Sequence, residues 1–171
     1  MRDIVHRFWV WYERNLVLNT SIAAGLFLWQ LVHLFWLFTN VVLLRLFGES
    51  YFNLSGTWEY VIIFVDYTEI PAILSVSLLY INDLRKGFRW KPVWFLLLLN
   101  SQWLHLFWLT DEFVVSQLIG SVRNPFLPLW LAWIAIGVDY LELPVMYDIT
   151  KKAIDGIKKK LSKQKSAQGK S

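Results

Sequence analysis

The chain has 171 residues, no cysteine, a formal net charge of +4 and a composition 56% hydrophobic and 18% aromatic. Its long apolar runs exclude an ordinary soluble domain, and the missing thiols exclude disulfides, iron–sulfur clusters and thiolate metal ligation. The excess of Lys and Arg sits at the ends of these runs, so it reads as a topology signal and no nucleic-acid partner is expected.

Residues 1–15 are mixed in charge and rich in aromatics, with Phe8, Trp9, Trp11 and Tyr12 beside Arg7 and Arg14. Amphipathic rings next to arginine suit the headgroup layer, which predicts an interfacial segment. His6 reads as a surface residue there. No cleavable leader is apparent, because the first apolar run is too long for a signal-peptide core and lacks a small-x-small cleavage site.

Four apolar segments have the length of membrane-crossing helices, roughly 20 residues or more. They are Leu16–Phe47, Thr57–Leu84, Pro92–Gly120 and Pro128–Tyr147. The first would be roughly 45 Å long as a straight helix, so it must tilt or project beyond the ~30 Å hydrocarbon layer. Gly48 to Gly56 makes a polar turn, Gly87 stops the second helix, and Asn124-Pro125 interrupts the next connection. Pro128 suits the first turn of the fourth helix. Beyond it, Ile149, Ala153, Ile154, Ile157 and Leu161 recur at steps of three and four between lysines. That pattern predicts a basic amphipathic extension followed by a disordered end from about Ser162. Such a stretch suits anionic lipid; positive-inside charge and solvation are the preferred reading of this tail, with a specific lipid or partner site as the alternative.

Lys and Arg cluster in three places: Arg2, Arg7 and Arg14; Arg85, Lys86, Arg89 and Lys91; and the tail lysines from Lys151 to Lys170. Arg45 and Arg123 are the positive residues near the other two connections. Basic loops mark the cytoplasmic side, so both termini are expected inside, in a cell's inner or plasma membrane.

The chain also repeats itself. Val65–Pro71 reads V-D-Y-T-E-I-P and Val138–Pro144 reads V-D-Y-L-E-L-P, with five of seven positions identical. Upstream of each, Gln30-Leu31-Val32-His33-Leu34-Phe35-Trp36 is echoed by Gln102-Trp103-Leu104-His105-Leu106-Phe107-Trp108. The expected architecture is an all-α integral membrane protein in which two tandem helical hairpins, residues 16–87 and 88–148, pack as a four-helix bundle. Residues 149–171 form its cytoplasmic tail.

Counted from the outer ends of the segments, His33, His105, Asp66, Glu69, Asp139 and Glu142 all fall at roughly 13–23 Å depth. A carboxylate at that depth costs roughly 2.5–3.5 kcal/mol on insertion scales, so a group of four needs protonation, pairing or a cation. No Lys or Arg lies in the layer, which removes ordinary salt bridges. Asp66/Glu69 and Asp139/Glu142 are three apart and project from one helix face. Glu112, seven after His105, adds a further carboxylate on its stripe, where the first repeat has Asn40. The expected metal ligands are therefore His33, Asp66, Glu69, His105, Asp139, Glu142 and Glu112. Gln30, Gln102, Tyr67 and Tyr140 are expected to orient them. Pro71 and Pro144 each free the carbonyl four residues back, that of Tyr67 or Tyr140. This is either an ordinary proline kink or a kink that opens space for a site.

Two His and four carboxylates match the ligand inventory of di-iron and di-manganese bundles, with the ligands permuted among the helices. The expected cofactor is two metal ions, Fe first and then Mn or Zn. The bland rivals are a His that hydrogen-bonds between helices and protonated structural acids. Three function classes fit. One is a di-metal oxidoreductase acting on a hydrophobic substrate, with a metal-dependent hydrolase as its variant. The second is a proton or divalent-cation transporter or channel using the same acids, which four spans per chain would favour as a homo-oligomer. The third, a haem held by His33 and His105, leaves the acids unexplained. No residue is assigned a catalytic role, and no Ser-His-Asp set, P-loop or dinucleotide fingerprint occurs.

Overall fold

The computed structural model describes residues 2–49, 57–110 and 129–168. Among them the chain is helical throughout, with no strand. The helices are α1 (Arg2–Arg14), α2 (Leu16–Trp36), α3 (Leu43–Phe47), α4 (Thr57–Tyr67), α5 (Glu69–Lys86), α6 (Trp90–Asn100), α7 (Gln102–Leu109), α8 (Leu129–Asp139) and α9 (Leu143–Gln168). Two stretches, Leu16–Val42 and Phe64–Lys86, are long and apolar enough to cross a membrane.

Several helices are joined almost end to end, and the joints carry the information. Leu37–Val42 is π-helical and links α2 to α3. Such widened turns occur frequently at functional sites, and nothing in the apolar pattern of this stretch announces one. α3 then ends at Gly48, whose φ of 76° is the left-handed cap that glycine adopts without steric penalty. Asn15 separates α1 from α2, with its side-chain amide donating to the Trp11 carbonyl at 3.0 Å. Ser101 separates α6 from α7, and its hydroxyl donates to the Leu98 carbonyl at 2.6 Å.

The two proline motifs make the other two joints. Pro71 stands at the third position of α5 and Pro144 at the second of α9. Neither can donate to the carbonyl one turn back, so the chain tightens just before them. In the first motif Thr68 N–H is shared between the Phe64 carbonyl at 3.2 Å and the Val65 carbonyl at 3.0 Å, and the helix breaks at Thr68, between Asp66 and Glu69. In the second, Tyr140–Glu142 winds as a 3-10 turn between Asp139 and α9.

α2, α5, α6 and α9 pack in a closed ring, α2 on α5, α5 on α6, α6 on α9 and α9 on α2. Small residues let them approach: Ala23, Ala24 and Ala72 are buried in the shared core with Phe27, Ile73, Val76, Tyr80, Leu99, Val145 and Ile149. At Gly156 of α9 an added Cβ would meet Val17 of α2 at 3.4 Å. A second apolar layer gathers Trp36, Leu37, Val41, Trp108, Ala135 and Ile136 where α7 packs on α8. Tyr140 touches both layers. α9 continues as helix to Gln168, through the stretch expected to be disordered from Ser162.

Candidate metal centre

The two apolar layers enclose a polar one. His33, His105, Asp66, Glu69, Asp139, Glu142, Gln30 and Gln102 are each 2% exposed or less. Six of these are titratable, and each pair of echoed motifs contributes to them. Glu112 lies outside the described residues.

His33 is the hub. Its Nδ1 lies against Asp66 Oδ1, and its Nε2 is 3.3 Å from Asp139 Oδ2. The ring centroids of His33 and His105 are 5.2 Å apart, nearly edge to face. One ligand atom from each of His33, His105 and Asp139 lies within 4.8 Å of the others. The carbonyl of Ala135 lies beside His105, but neither ring nitrogen makes a well-formed hydrogen bond. Glu69 is within electrostatic reach of Asp139, Glu142, His33 and Asp66, and Glu142 of Asp139 and His33. The cluster is therefore one electrostatic unit.

Its hydrogen bonding is incomplete. Glu69 Oε1 and Glu142 Oε2 are buried with no hydrogen-bond partner among the described residues. Among the same residues, no Lys or Arg pairs with any of the four carboxylates. A buried carboxylate oxygen without a donor needs a proton or a cation, because its desolvation is otherwise uncompensated.

The donor set fits a metal. Bonds of about 2.0–2.2 Å to nitrogen and oxygen in a tetrahedron place two ligand atoms roughly 3.3–3.6 Å apart. The 3.3 Å between His33 Nε2 and Asp139 Oδ2 sits within that spacing. Four ionised carboxylates with neutral imidazoles carry four negative charges, which two divalent ions balance. A haem between the two imidazoles fits poorly, since a carboxylate occupies each nitrogen of His33.

Gln30 and Gln102 hold the frame, not the carboxylates. Gln30 Nε2 donates to the Val65 carbonyl at 3.1 Å and to Thr68 Oγ1 at 3.0 Å. Gln102 Nε2 donates to the carbonyls of Val138 at 3.0 Å and Asp139 at 3.3 Å. The same clamp thus recurs in both repeats: a helix-borne amide grips the backbone next to the Asp of the kinked partner. Tyr67 reaches elsewhere, its hydroxyl 2.9 Å from Thr110 Oγ1. The Tyr140 hydroxyl is buried with no hydrogen-bond partner among the described residues.

Sequence reasoning missed Thr68. Its hydroxyl donates to the Val65 carbonyl at 2.6 Å and accepts from Gln30. The signal was the mismatch inside the repeat, where Leu141 stands in the place of Thr68. The missed ion pairs lie at the other end of the helices. Lys91 Nζ is 2.5 Å from Asp148 Oδ1, Lys152 Nζ is 3.1 Å from Asp148 Oδ2 and 2.7 Å from Asp83 Oδ2, and Tyr80 donates to Asp148. Burial alone would raise the Asp148 carboxyl; the hydrogen bond from Lys91, the charge and hydrogen bond of Lys152 and that of Tyr80 outweigh it and hold it below the ordinary value.

No protein-family model, curated protein or solved structure matches this chain.

Proposed function

We propose that this protein is a membrane-embedded four-helix metalloprotein whose His33, His105, Asp66, Glu69, Asp139 and Glu142 hold two transition-metal ions. The observation that carries the reading is the buried layer of two imidazoles and four carboxylates, with undonated carboxylate oxygens and no basic partner among the described residues. His33, His105 and Asp139 are the core of the centre, supported by the convergence of their ligand atoms. Glu69 and Glu142, on the far side of each kink, complete it. Nitrogen and oxygen ligands without thiolate favour Fe, then Mn or Zn.

Membrane placement is supported by the outer surface. Trp29, Phe35, Phe64, Phe107 and Trp130 are each more than half exposed while the layer inside them is polar. An apolar exterior around a polar interior is stable in hydrocarbon and a liability in water. The basic connection from Arg85 to Lys91 and the lysines of α9 support a cytoplasmic side for both termini.

A metal pair of this kind supplies redox or Lewis-acid chemistry on a substrate, and a site buried among apolar residues selects a hydrophobic one. The chain's own contribution is to exclude water, to fix His33 between Asp66 and Asp139, and to hold the two kinks by Gln30 and Gln102. Oxidoreductase chemistry on a lipid-soluble small molecule is the reading this supports best.

A second reading, passage of protons or divalent cations, rests on the contact chain from Asp66 through both nitrogens of His33 to Asp139. An imidazole flanked by acids on both sides is a proton relay in form. Elemental analysis of the detergent-purified chain separates the two. About two Fe or Mn per chain, lost in His105→Gln and Asp139→Asn, is the expected result. Metal-free protein with all six side chains intact overturns the metal centre and leaves the relay.

A further inference from the structure

The structure assigns an anionic-phospholipid site to the groove between α2, α5 and α9, away from the metal centre. The proposal rests on the membrane reading above but not on the metal.

The groove encloses about 580 Å³. Its floor is apolar, formed by Leu16, Val17 and Leu79. Its rim is basic, and Lys159, Lys160 and Lys163 line it. Gly156, Lys159, Lys160 and Lys163 fall at steps of three, four and seven along α9, one face of a helix. That face meets α2 where Gly156 admits Val17, which seats the stripe of lysines directly over the apolar floor.

Charge decides the occupant. Four lysines and two aspartates line the groove. Lys152 is already engaged with Asp83 and Asp148. Lys159, Lys160 and Lys163 are exposed and make no ion pair among the described residues. Cations scattered only to set topology would not need an apolar floor beneath them. A ligand with an anionic head and an acyl chain uses both parts, and the cytoplasmic leaflet supplies it at the end of the bundle where these lysines sit. The acyl chain lies along Val17 and Leu79, and the phosphate lies against the three lysines.

The test is native mass spectrometry of the full chain purified in neutral detergent and titrated with dioleoyl phosphatidylglycerol or dioleoyl phosphatidylcholine. One phosphatidylglycerol retained per chain, with phosphatidylcholine washed out, is expected. The triple variant Lys159→Gln/Lys160→Gln/Lys163→Gln should weaken retention at least about tenfold, and the matching Lys→Arg triple should keep it. Val17→Trp, which fills the floor and leaves the charge alone, should also release the lipid. The pair Lys158→Gln/Lys165→Gln, outside the groove, should not. Equal retention by wild type and the Gln triple overturns the site, as does equal loss in the Lys158/Lys165 pair. Displacement by soluble glycerol phosphate overturns the lipid assignment in favour of a headgroup-only anion site. Failure of the membrane reading looks different: the chain would leave washed membranes at alkaline pH without detergent.

Discussion

The paired glutamine clamps should be unequal, and the inequality can be worked out from their acceptors. Removing Gln30 takes one donor from the Val65 carbonyl, which keeps the Thr68 hydroxyl at 2.6 Å and the Thr68 N–H at 3.0 Å. Removing Gln102 strips a donor from two carbonyls, those of Val138 and Asp139, and Leu141 offers no hydroxyl in replacement. Each hydrogen bond lost from a buried carbonyl costs about 1 kcal/mol, less where a second side-chain donor stays on the same oxygen. Gln30→Leu should therefore destabilise by about 1 kcal/mol or less and Gln102→Leu by about 2 kcal/mol. Because the clamp also sets where Asp139 points, Gln102→Leu should weaken metal binding roughly 10–100-fold, the range for loss of a ligand-orienting group. Unfolding followed by helical circular dichroism in detergent, with metal affinity by chelator competition, reads both quantities. Thr68→Val supplies the internal control. Added to Gln30→Leu it should cost more than it does alone, since the two side chains back each other up at one carbonyl. Equal losses for the two glutamines, or strict additivity of Gln30→Leu with Thr68→Val, would refute this account of the clamps.

Separate substitution of Glu69→Gln and Glu142→Gln should lower bound metal in both cases, read as metal per chain; an unaffected Glu142→Gln would remove it from the ligand set. Asp148 has a folded-state carboxyl held below its ordinary value, so its contribution to stability is fully present above about pH 4 and is lost as pH falls towards the folded value. Asp148→Asn should therefore flatten the acid side of a stability–pH curve while changing metal content little; an unchanged acid limb would count against the pairing with Lys91 and Lys152. At Gly156, alanine brings its Cβ only to ordinary contact with Val17. Gly156→Ala should hold or gain up to about 1 kcal/mol of stability through helix propensity, and Gly156→Leu should lose about 1–3 kcal/mol by forcing α9 off α2. The melting temperatures of the two variants in detergent would separate these outcomes, and a stable leucine variant would contradict the close approach.

The sequence showed the helices and the polar layer because both follow from local rules. Apolar runs set element length, and Asp66/Glu69 or Asp139/Glu142 at a spacing of three must share a face. Depth counting rests on the fixed rise of about 1.5 Å per residue in a straight helix. The joints were harder to read. Pro71 and Pro144 marked where a hydrogen bond is lost, but not that one kink becomes a Thr68 turn and the other a 3-10 turn. That difference depends on Thr68 against Leu141, a single position in an otherwise matching motif. The π-helical Leu37–Val42 and the break at Ser101 carried no periodic signal. Nor could spacing show that His33 would be shared by acids of both repeats. That is a contact between α2 and α8, and sequence position is silent on it.

The sharing of His33 bears on how the residues of the two echoed motifs combine. Exact twofold symmetry would pair each His with one Asp and leave two equivalent half-sites. Here both nitrogens of His33 face carboxylates, Asp66 from its own repeat and Asp139 from the other, while His105 lies beside the Ala135 carbonyl. The clamps built from Gln30 and Gln102 recur beside Asp66 and Asp139, although the backbone that each one grips turns differently. The departure from symmetry lies both in the backbone of the two kinks and in the side chains around His33 and His105. If the proposed centre holds two ions, one should bind more tightly than the other, because the side chains facing His33 and His105 differ.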